Sequence, residues 1–523
     1  MSTPTRHGQN AGISSPHTPQ RGISSTYSSP GFRTDDDTVI FELGTRYLRA
    51  GLVHDSVPRC SLDFGPEQSR RLGDYRKWLP GFEDRPRVVK NLETWTKDHE
   101  LWQLDVRDTD LGLMLDKLER TIRKAYSEYL LLDAKSRKIV LVVQAMISHT
   151  ILSRILNLMF VNFQVSSVTL LPPPTMAVVA AGQRSGLVVD IGWHETVVTA
   201  VYELREIAEL RSTRAMQLLS KEVAKFLEGY IQSKNIDGQL SIKTKLDFEY
   251  VEELMTQIFW CRPASQVLSS HDRPIEAEDT NVLIPLPLPS SKGVEIPFSA
   301  LSGAVESTLL APSDDSRKQD DHECDLGHLI YRTLLSLAPD VRSMCMPRIV
   351  FTGGGSNIQG LKPRLLKELE AIIRERSWNK VWQPVKRTAS VATTPRPSTH
   401  IDAGDTHTKE NPTNAQTGAA FEDQIYDPYE EKIYKVTAQF TKSEIRGEIR
   451  GIETMGVFTG ASITAALRIK SLVEIERELF LQHGLFGPKR EQDSATSRPK
   501  SLTGVYTKHS ALDTSAWTLG AFA

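Results

Sequence analysis

The chain has 523 residues, with 63 lysines and arginines against 65 aspartates and glutamates and a formal net charge of −2. A chain this long holds roughly two to three domain-sized units, and its balanced charge excludes a general nucleic-acid-binding surface. Cys60, Cys261, Cys324 and Cys345 show no CxxC spacing, which argues against a zinc site or disulfide framework and for a reducing compartment. The N-terminus lacks a charged-then-apolar signal pattern, and no apolar run reaches the ~18 residues that a spanning helix needs. The expectation is a soluble intracellular protein with no direct membrane insertion.

Residues 1–37 are rich in Ser, Thr, Pro and Gly and poor in core-forming side chains, so burial cannot offset the entropy of ordering them, and a disordered tail is expected. Ser15-Pro16, Thr18-Pro19 and Ser29-Pro30 suit phosphorylation, and an unmodified tail fits equally well. At Thr38 the composition changes. Val39-Ile40-Phe41-Glu42-Leu43 reads as a strand turned by Gly44-Thr45. Residues 60–103 read as irregular, with Trp78, Trp95 and Trp102 as an exposed binding patch or, the better fit, the ordinary core of a small outer subdomain. From Asp110 the apolar positions Leu111, Met114, Leu115, Leu118 and Ile122 mark an amphipathic helix. A buried strand (139–143), a helix (151–163) and a strand (168–171) follow. Pro172-Pro173-Pro174 closes that strand, and a small-residue helix runs over 176–181.

Leu187-Val188-Val189-Asp190-Ile191-Gly192 is a second strand and turn, answered by an alternating strand, Thr196–Tyr202. Helices are expected at about 216–231 and 250–260, loops or insertions at 262–282 and 311–325, and a helix at 329–337. Arg348-Ile349-Val350-Phe351-Thr352 is again a strand; Gly353-Gly354-Gly355 turns it into a helix carrying Leu361, Leu365, Leu366, Leu369 and Ile373. Residues 386–426 are Thr-, Pro- and Asn-rich, as in a disordered insertion. Phe458-Thr459-Gly460-Ala461-Ser462-Ile463 opens the last helix.

Strand, glycine turn and helix let a backbone approach a nucleotide without interfering Cβ atoms. The turn at Gly353 is not a P-loop, because Leu361-Lys362 stands where that motif needs Lys-Ser/Thr, nor is it GxGxxG. Taken alone, it reads equally well as a tight structural turn. It is, however, the third such turn in the chain, after Glu42-Leu43-Gly44-Thr45 and Asp190-Ile191-Gly192, each of which sets an acid at or near a strand end.

This order and spacing resemble the actin family, within the superfamily that includes heat-shock-70 ATPases and sugar kinases, and are most similar to its actin-related proteins. Residues 42–59 (ELGTRYLRAGLVHDSVPR) resemble the first phosphate loop. Asp190 and Gly192 fall in the second, residues 353–360 in the adenosine loop, and 458–467 (FTGASITAAL) at a late helix start. The resemblance implies an α/β, two-lobed fold with a nucleotide cleft. Residues 38–185 would form the first lobe, with 60–103 as a divergent outer subdomain. Residues 186–385 would form the second lobe, and 427–523 would return to the first. It further implies ATP or ADP held structurally by Gly44, Thr45, Arg49, Asp190, Gly192, Gly353, Gly354 and Gly355, with no protein metal ligand assigned. Arg49 corresponds to a phosphate-binding lysine, though a solvated arginine is nearly as apt. Asp190 fits a phosphate- or metal-facing role or a plain strand-end cap.

The departures from the family are as informative. Glu42 replaces an Asp, Arg46 a glycine, Trp193 an acid of the metal's water shell, His194 a glycine, and Met216-Gln217-Leu218 a Gly-Arg-Asp. An arginine at 46 no longer leaves bare backbone for phosphate, although its guanidinium can itself contact one. Trp193 and His194 read as packing residues. Gly354 is expected to require positive φ. The water-orienting glutamine falls on Pro173, which offers neither a donor nor a side-chain acceptor, so no enzymatic activity is expected. Within the family the pattern is most similar to the pointed-end actin-related subunits of dynactin in fungal form. That resemblance implies a cytoplasmic, cytoskeletal protein whose partners are an actin-related filament subunit and pointed-end adaptor subunits. The alternatives are a nuclear subunit of a chromatin-remodelling complex, for which no convincing basic localisation run is present, and an active ATPase of the superfamily.

Overall fold

The computed structural model describes residues 38–66, 95–133, 137–144, 146–233, 246–264, 280–285, 293–311, 321–378, 447–467 and 474–486. The 1–37 tail, Trp78, the 386–426 insertion and most of 262–282 and 311–325 lie outside the described residues.

Two sheets follow one plan. In the first, β1 (Val39–Leu43) lies between β2 (Tyr47–Leu52), antiparallel to it, and β4 (Lys138–Val142), parallel to it. β5 (Ser167–Leu171), β3 (Cys60–Asp63) and β13 (Glu474–Glu476) complete the order β13-β5-β4-β1-β2-β3. In the second, β6 (Gly186–Ile191) lies between antiparallel β7 (Thr196–Tyr202) and parallel β11 (Ile349–Thr352). β8 (Arg205–Ser212) and β12 (Gly451–Ile452) close the order β12-β11-β6-β7-β8. The switch from parallel to antiparallel neighbours falls at β1 in one sheet and at β6 in the other, and the carboxyl ends of such strands open a crevice. This is the α/β actin-like architecture expected from the sequence.

The strands form where β-branched and aromatic runs are buried on both faces, as in Val39, Ile40 and Phe41 or Leu187, Val188 and Val189. In the first lobe α1 (Leu111–Lys124) starts where the Asp110 carboxylate accepts from the amides of Gly112 and Leu113, and it buries Met114, Leu118 and Ile122. α2 (His149–Val161) connects β4 to β5. The second lobe carries α4 (Met216–Ser233), α5 (Phe248–Gln257), α6 (Phe298–Val305), α7 (Leu326–Ser336), α8 (Pro339–Cys345) and α9 (Leu361–Arg376). Each lobe has its own apolar core.

At the back the lobes are joined by α3 (Pro173–Ala180) crossing α10 (Val457–Ala466). The crossing is so close that a Cβ on Gly460 would lie 1.9 Å from the Met176 carbonyl oxygen. Thr454 Oγ1 donates to the Ala177 carbonyl at 2.8 Å and Thr459 Oγ1 to that of Ser56 at 2.6 Å. A short helix, α11 (Arg477–His483), packs Phe480 on Phe160 of the first core.

The structure departs from the sequence reading in several places. Cys60–Asp63 is an edge strand within the stretch read as irregular. β8 is too rich in charge to read as a strand, and the hairpin of β9 (Asn281–Pro285) and β10 (Gly293–Pro297) escapes notice because Ile284 and Ile296 are its only fully buried apolar residues. The small-residue helix begins at Pro173, not Met176, since proline suits a first helical turn. β12 extends the second sheet, so the return to the first lobe begins after Ile452 rather than at 427. Trp95 is buried as expected, but in the core of the second lobe, whereas Trp102 packs on the first.

Candidate functional site

The crevice is framed by the turn after β1, the turn after β6 and the glycine turn after β11. At its floor, Glu42 and Asp190 occupy neighbouring strand ends. Arg49, across the β1–β2 ladder, ion-pairs with Glu42. Burial first, and the charge of Glu42 second, push the Asp190 carboxyl up to about 6, against hydrogen bonds from Gln144 and Thr352 and the attraction of Arg49. Pro174, Gln144, Asp190, Glu195, Glu206 and Arg211 line a cavity of about 20 Å³, room for about one water. Pro173 stands at the first turn of α3, where it offers no hydrogen-bonding side chain.

The turn after β1, which the resemblance reads as a first phosphate loop, is tight: its Gly44 amide donates to the Tyr47 carbonyl at 3.0 Å. Arg46 is buried. Its Nη2 donates to both carboxylate oxygens of Glu252 on α5 at 2.7 Å, and its Nη1 donates to the His99 carbonyl. The guanidinium lies 4.6 Å from the ring centre of Phe248 and 5.0 Å from that of Trp193. Its Nε has no acceptor among the described residues. Thr45 gives its carbonyl to the Leu101 amide at 2.9 Å.

The second loop closes the same way, with the Gly192 amide donating to the Glu195 carbonyl at 3.1 Å. Trp193 and His194 do not simply pack. Trp193 Nε1 donates to Glu100 Oε1 at 2.8 Å, Gln217 Nε2 donates to the same oxygen at 2.8 Å, and His194 Nε2 sits 3.2 Å from Glu100 Oε2. Burial alone would raise the Glu100 carboxyl, but His194, Trp193 and Gln217 outweigh it and hold the acid below its ordinary range.

The glycine turn after β11, read from the resemblance as an adenosine loop, uses its glycines for loop packing. Gly353 has φ +80°, and a Cβ there would meet Asp190 Oδ1 and the Ile191 carbonyl oxygen at 2.4 Å. At Gly355 a Cβ would lie 2.3 Å from Ile191 Cγ2 and 2.8 Å from Met216 Sδ. Gly354 has open space and no positive φ, so the backbone requirement expected there belongs to Gly353 instead.

The structure thus brings Gly44, Thr45, Arg49, Asp190, Gly192, Gly353 and Gly355 around one crevice, with Gly354 on its open side. The residues do not fit a nucleotide gripped by both phosphate loops. The Gly44 and Gly192 amides are consumed by their own turns, Arg46 is committed to Glu252, and Trp193 and His194 are tied to Glu100. Sequence reasoning missed Glu100, Gln217, Glu252 and the Gln144 contact to Asp190. Gln144 had a visible signal, as a lone polar residue in an apolar run; the others become partners only through the fold. Among the described residues no cluster of three or more His, Cys, Asp or Glu side chains is arranged to hold a metal, and no helix is long and apolar enough to cross a membrane.

Comparison with known proteins agrees with this architecture. Residues 34–257 match the family model for actin. Actin-related protein 2 of Saccharomyces cerevisiae is 24% identical over 219 residues, covering 41% of this chain and 51% of that protein, so the match spans about half of the relative's length. Actin-related protein 10 of Dictyostelium discoideum is 21% identical over 361 residues, covering 64% of this chain and 73% of that protein. Actin-related protein 4 of Yarrowia lipolytica is 26% identical over 239 residues, covering 41% and 54%. Residues 34–257 therefore match the actin model, and the chain has an α/β actin-like fold.

Proposed function

We propose that this chain is a non-polymerising, non-hydrolysing actin-related subunit that caps the pointed end of an actin-related filament of the dynactin type, and so supports dynein-driven transport along microtubules from the cytoplasmic cytoskeleton. The observation that carries the reading is a contrast between the stretch read as the outer subdomain and the helices α2 and α10. The last part of the divergent outer region, Trp95 to Leu101, is folded inward on the cleft: Trp95 is buried in the second core and Leu101 in the first. By contrast, α2 and α10 keep their patterning and expose Val161 and Ile463, with Leu467 exposed just past the end of α10. A subunit that retains one assembly face and alters the other terminates a filament. Two further points support it. Pro173 supplies no group to orient an attacking water. The Dictyostelium actin-related protein 10 aligns over a larger share of this chain than the other two relatives above.

The test is purification of the tagged chain with its stable complex, identification of the members, and a phosphate-release assay on the complex and the chain alone. The expected result is an actin-related filament subunit together with pointed-end adaptor subunits, and phosphate release at background. Recovery in a chromatin-remodelling complex, or ATP turnover that vanishes in Asp190→Ala, overturns the reading.

A further inference from the structure

The cleft between the lobes contains a set of buried polar contacts that the capping reading does not use. We infer that a side-chain bridge, Arg46 on Glu252 and Glu100 on Trp193, His194 and Gln217, joins the two lobes in the place where the resemblance implies a nucleotide.

Each half of the bridge is anchored on one lobe and reaches the other. Arg46 belongs to the turn between β1 and β2, while Glu252 rides on α5, whose Phe248, Val251 and Leu254 are buried in the second core. Glu100 is fixed to the first lobe through its backbone. Lys117 Nζ on α1 takes the carbonyls of Asp98 and Glu100 at 2.8 and 2.9 Å, and the next residue, Leu101, is held by Thr45 and buried in the first core. The Glu100 carboxylate, with a side chain 1% exposed, then crosses to the second phosphate loop and to Gln217 of α4. Trp95 adds an apolar wedge, its ring edge-on to Phe248 at 5.0 Å.

Charge decides against shared occupancy. Arg46 is neutralised by Glu252 through a two-oxygen contact, the stronger form of such pairs. An entering polyphosphate has to take the guanidinium from Glu252, leaving that part-buried carboxylate (26% exposed) unpaired, and has to come close to the buried Glu100. Leaving one member of an ion pair uncompensated is unfavourable in proportion to its burial. The Trp193 ring, stacked with Arg46, fills space beside the turn as well. Closure of the lobes therefore does not depend on a bound ligand.

The inference is independent of the capping reading, and the experiment separates the two. The full-length chain is purified without added nucleotide, acid-quenched and its supernatant analysed for adenine nucleotides; thermal unfolding is followed with and without millimolar Mg·ATP. The bridge predicts no stoichiometric nucleotide and no rise in melting midpoint with Mg·ATP, since a ligand that does not bind the native state cannot stabilise it. Without nucleotide, Arg46→Ala and Glu100→Gln should each lower the midpoint by on the order of 5 °C. If Arg46→Ala does not fold, Arg46→Lys serves, because a point charge cannot fork to both Glu252 oxygens and the midpoint should still fall. One nucleotide per chain, a clear rise with Mg·ATP, or a wild-type midpoint in Arg46→Lys and Glu100→Gln overturns the inference. A nucleotide-loaded chain that still sits at a filament end removes the bridge and leaves the cap; a nucleotide-free chain found in another assembly does the reverse.

Discussion

At the back of the cleft the lobes meet through small residues and bare backbone, where α3 crosses α10 at Gly460. At the front they meet through long charged and aromatic side chains from Arg46, Glu100, Trp193 and Glu252. The back carries the FTGAS run that resembles the actin family; at the front, Arg46, Trp193 and His194 stand where that resemblance implies two glycines and an acid. The two joints respond to different perturbations. A joint made by close backbone approach is sensitive to one added atom and indifferent to pH. A joint made by buried charge tolerates reshaping around it but depends on every partner being present and correctly protonated.

The largest effect is expected at the back. Gly460→Val places a branched side chain where even a Cβ lies 1.9 Å from the Met176 carbonyl oxygen. No flexible side chain stands there to move aside, so a loss above about 4 kcal/mol is expected, read as insoluble or unfolded protein. A soluble variant melting like wild type breaks the contrast between the joints. Gly355→Ala is the next in size. The added Cβ meets Met216 Sδ at 2.8 Å, which can swing aside, and Ile191 Cγ2 at 2.3 Å, on a buried β-branched residue that can yield only with its strand, so the cost should be about 1–3 kcal/mol by denaturant unfolding.

The front should show a pH signature. Burial first, and Arg46 second, hold the His99 imidazole down to about 4, so it is neutral in the folded protein at pH 6.5 and protonated in the unfolded chain below that. The unfolded state then binds more protons between about pH 6.5 and 4, and stability falls as pH drops through that window, by about 1–2 kcal/mol at pH 5. His99→Gln should flatten this decline. Glu206, beside the small cavity, has the opposite sign. Burial and then Glu209 raise its carboxyl to about 7, so its folded form holds a proton that the unfolded chain releases, and stability falls as pH rises from about 4.5 to 7. Glu206→Gln should remove that loss. Unchanged pH profiles in both variants would show that neither group is buried as described. The smallest effect is expected at Gly354→Ala, which meets nothing within 4 Å and has no positive φ; its stability should stay within about 0.5 kcal/mol of wild type.

Much of the fold was legible in the sequence because its central strands are buried on both faces. The run at 39–43 and the alternation at Thr196–Tyr202 coincide with observed strands, and the apolar periodicity from Asp110 coincides with a helix that buries Met114, Leu118 and Ile122. Edge elements were not legible: β3, β8 and the β9–β10 hairpin interleave polar and charged residues with few buried ones, and pairing rather than composition makes them strands. Of the site, the glycine turns and the degenerate loops could be read, but not what replaced the lost residues. Arg46 and Glu252 are 206 residues apart, and Glu100 and Gln217 are 117 apart. Read locally, each is an ordinary surface-type residue; only the closing of one lobe on the other turns them into partners. The substitution of Gly-Arg-Asp by Met216-Gln217-Leu218 looked like loss, yet Gln217 became a donor and Met216 a packing surface for Gly355.

The most direct test of this account is a double-mutant cycle across the front of the cleft. Arg46→Met, Glu252→Gln and the double variant are unfolded in denaturant alongside wild type, without nucleotide. If the two side chains form one bridge between the lobes, the single losses should not add, and the coupling should lie at about 1–3 kcal/mol. Additive losses, with coupling near zero, would mean that Arg46 and Glu252 act separately and that the lobes are held together by something other than this pair.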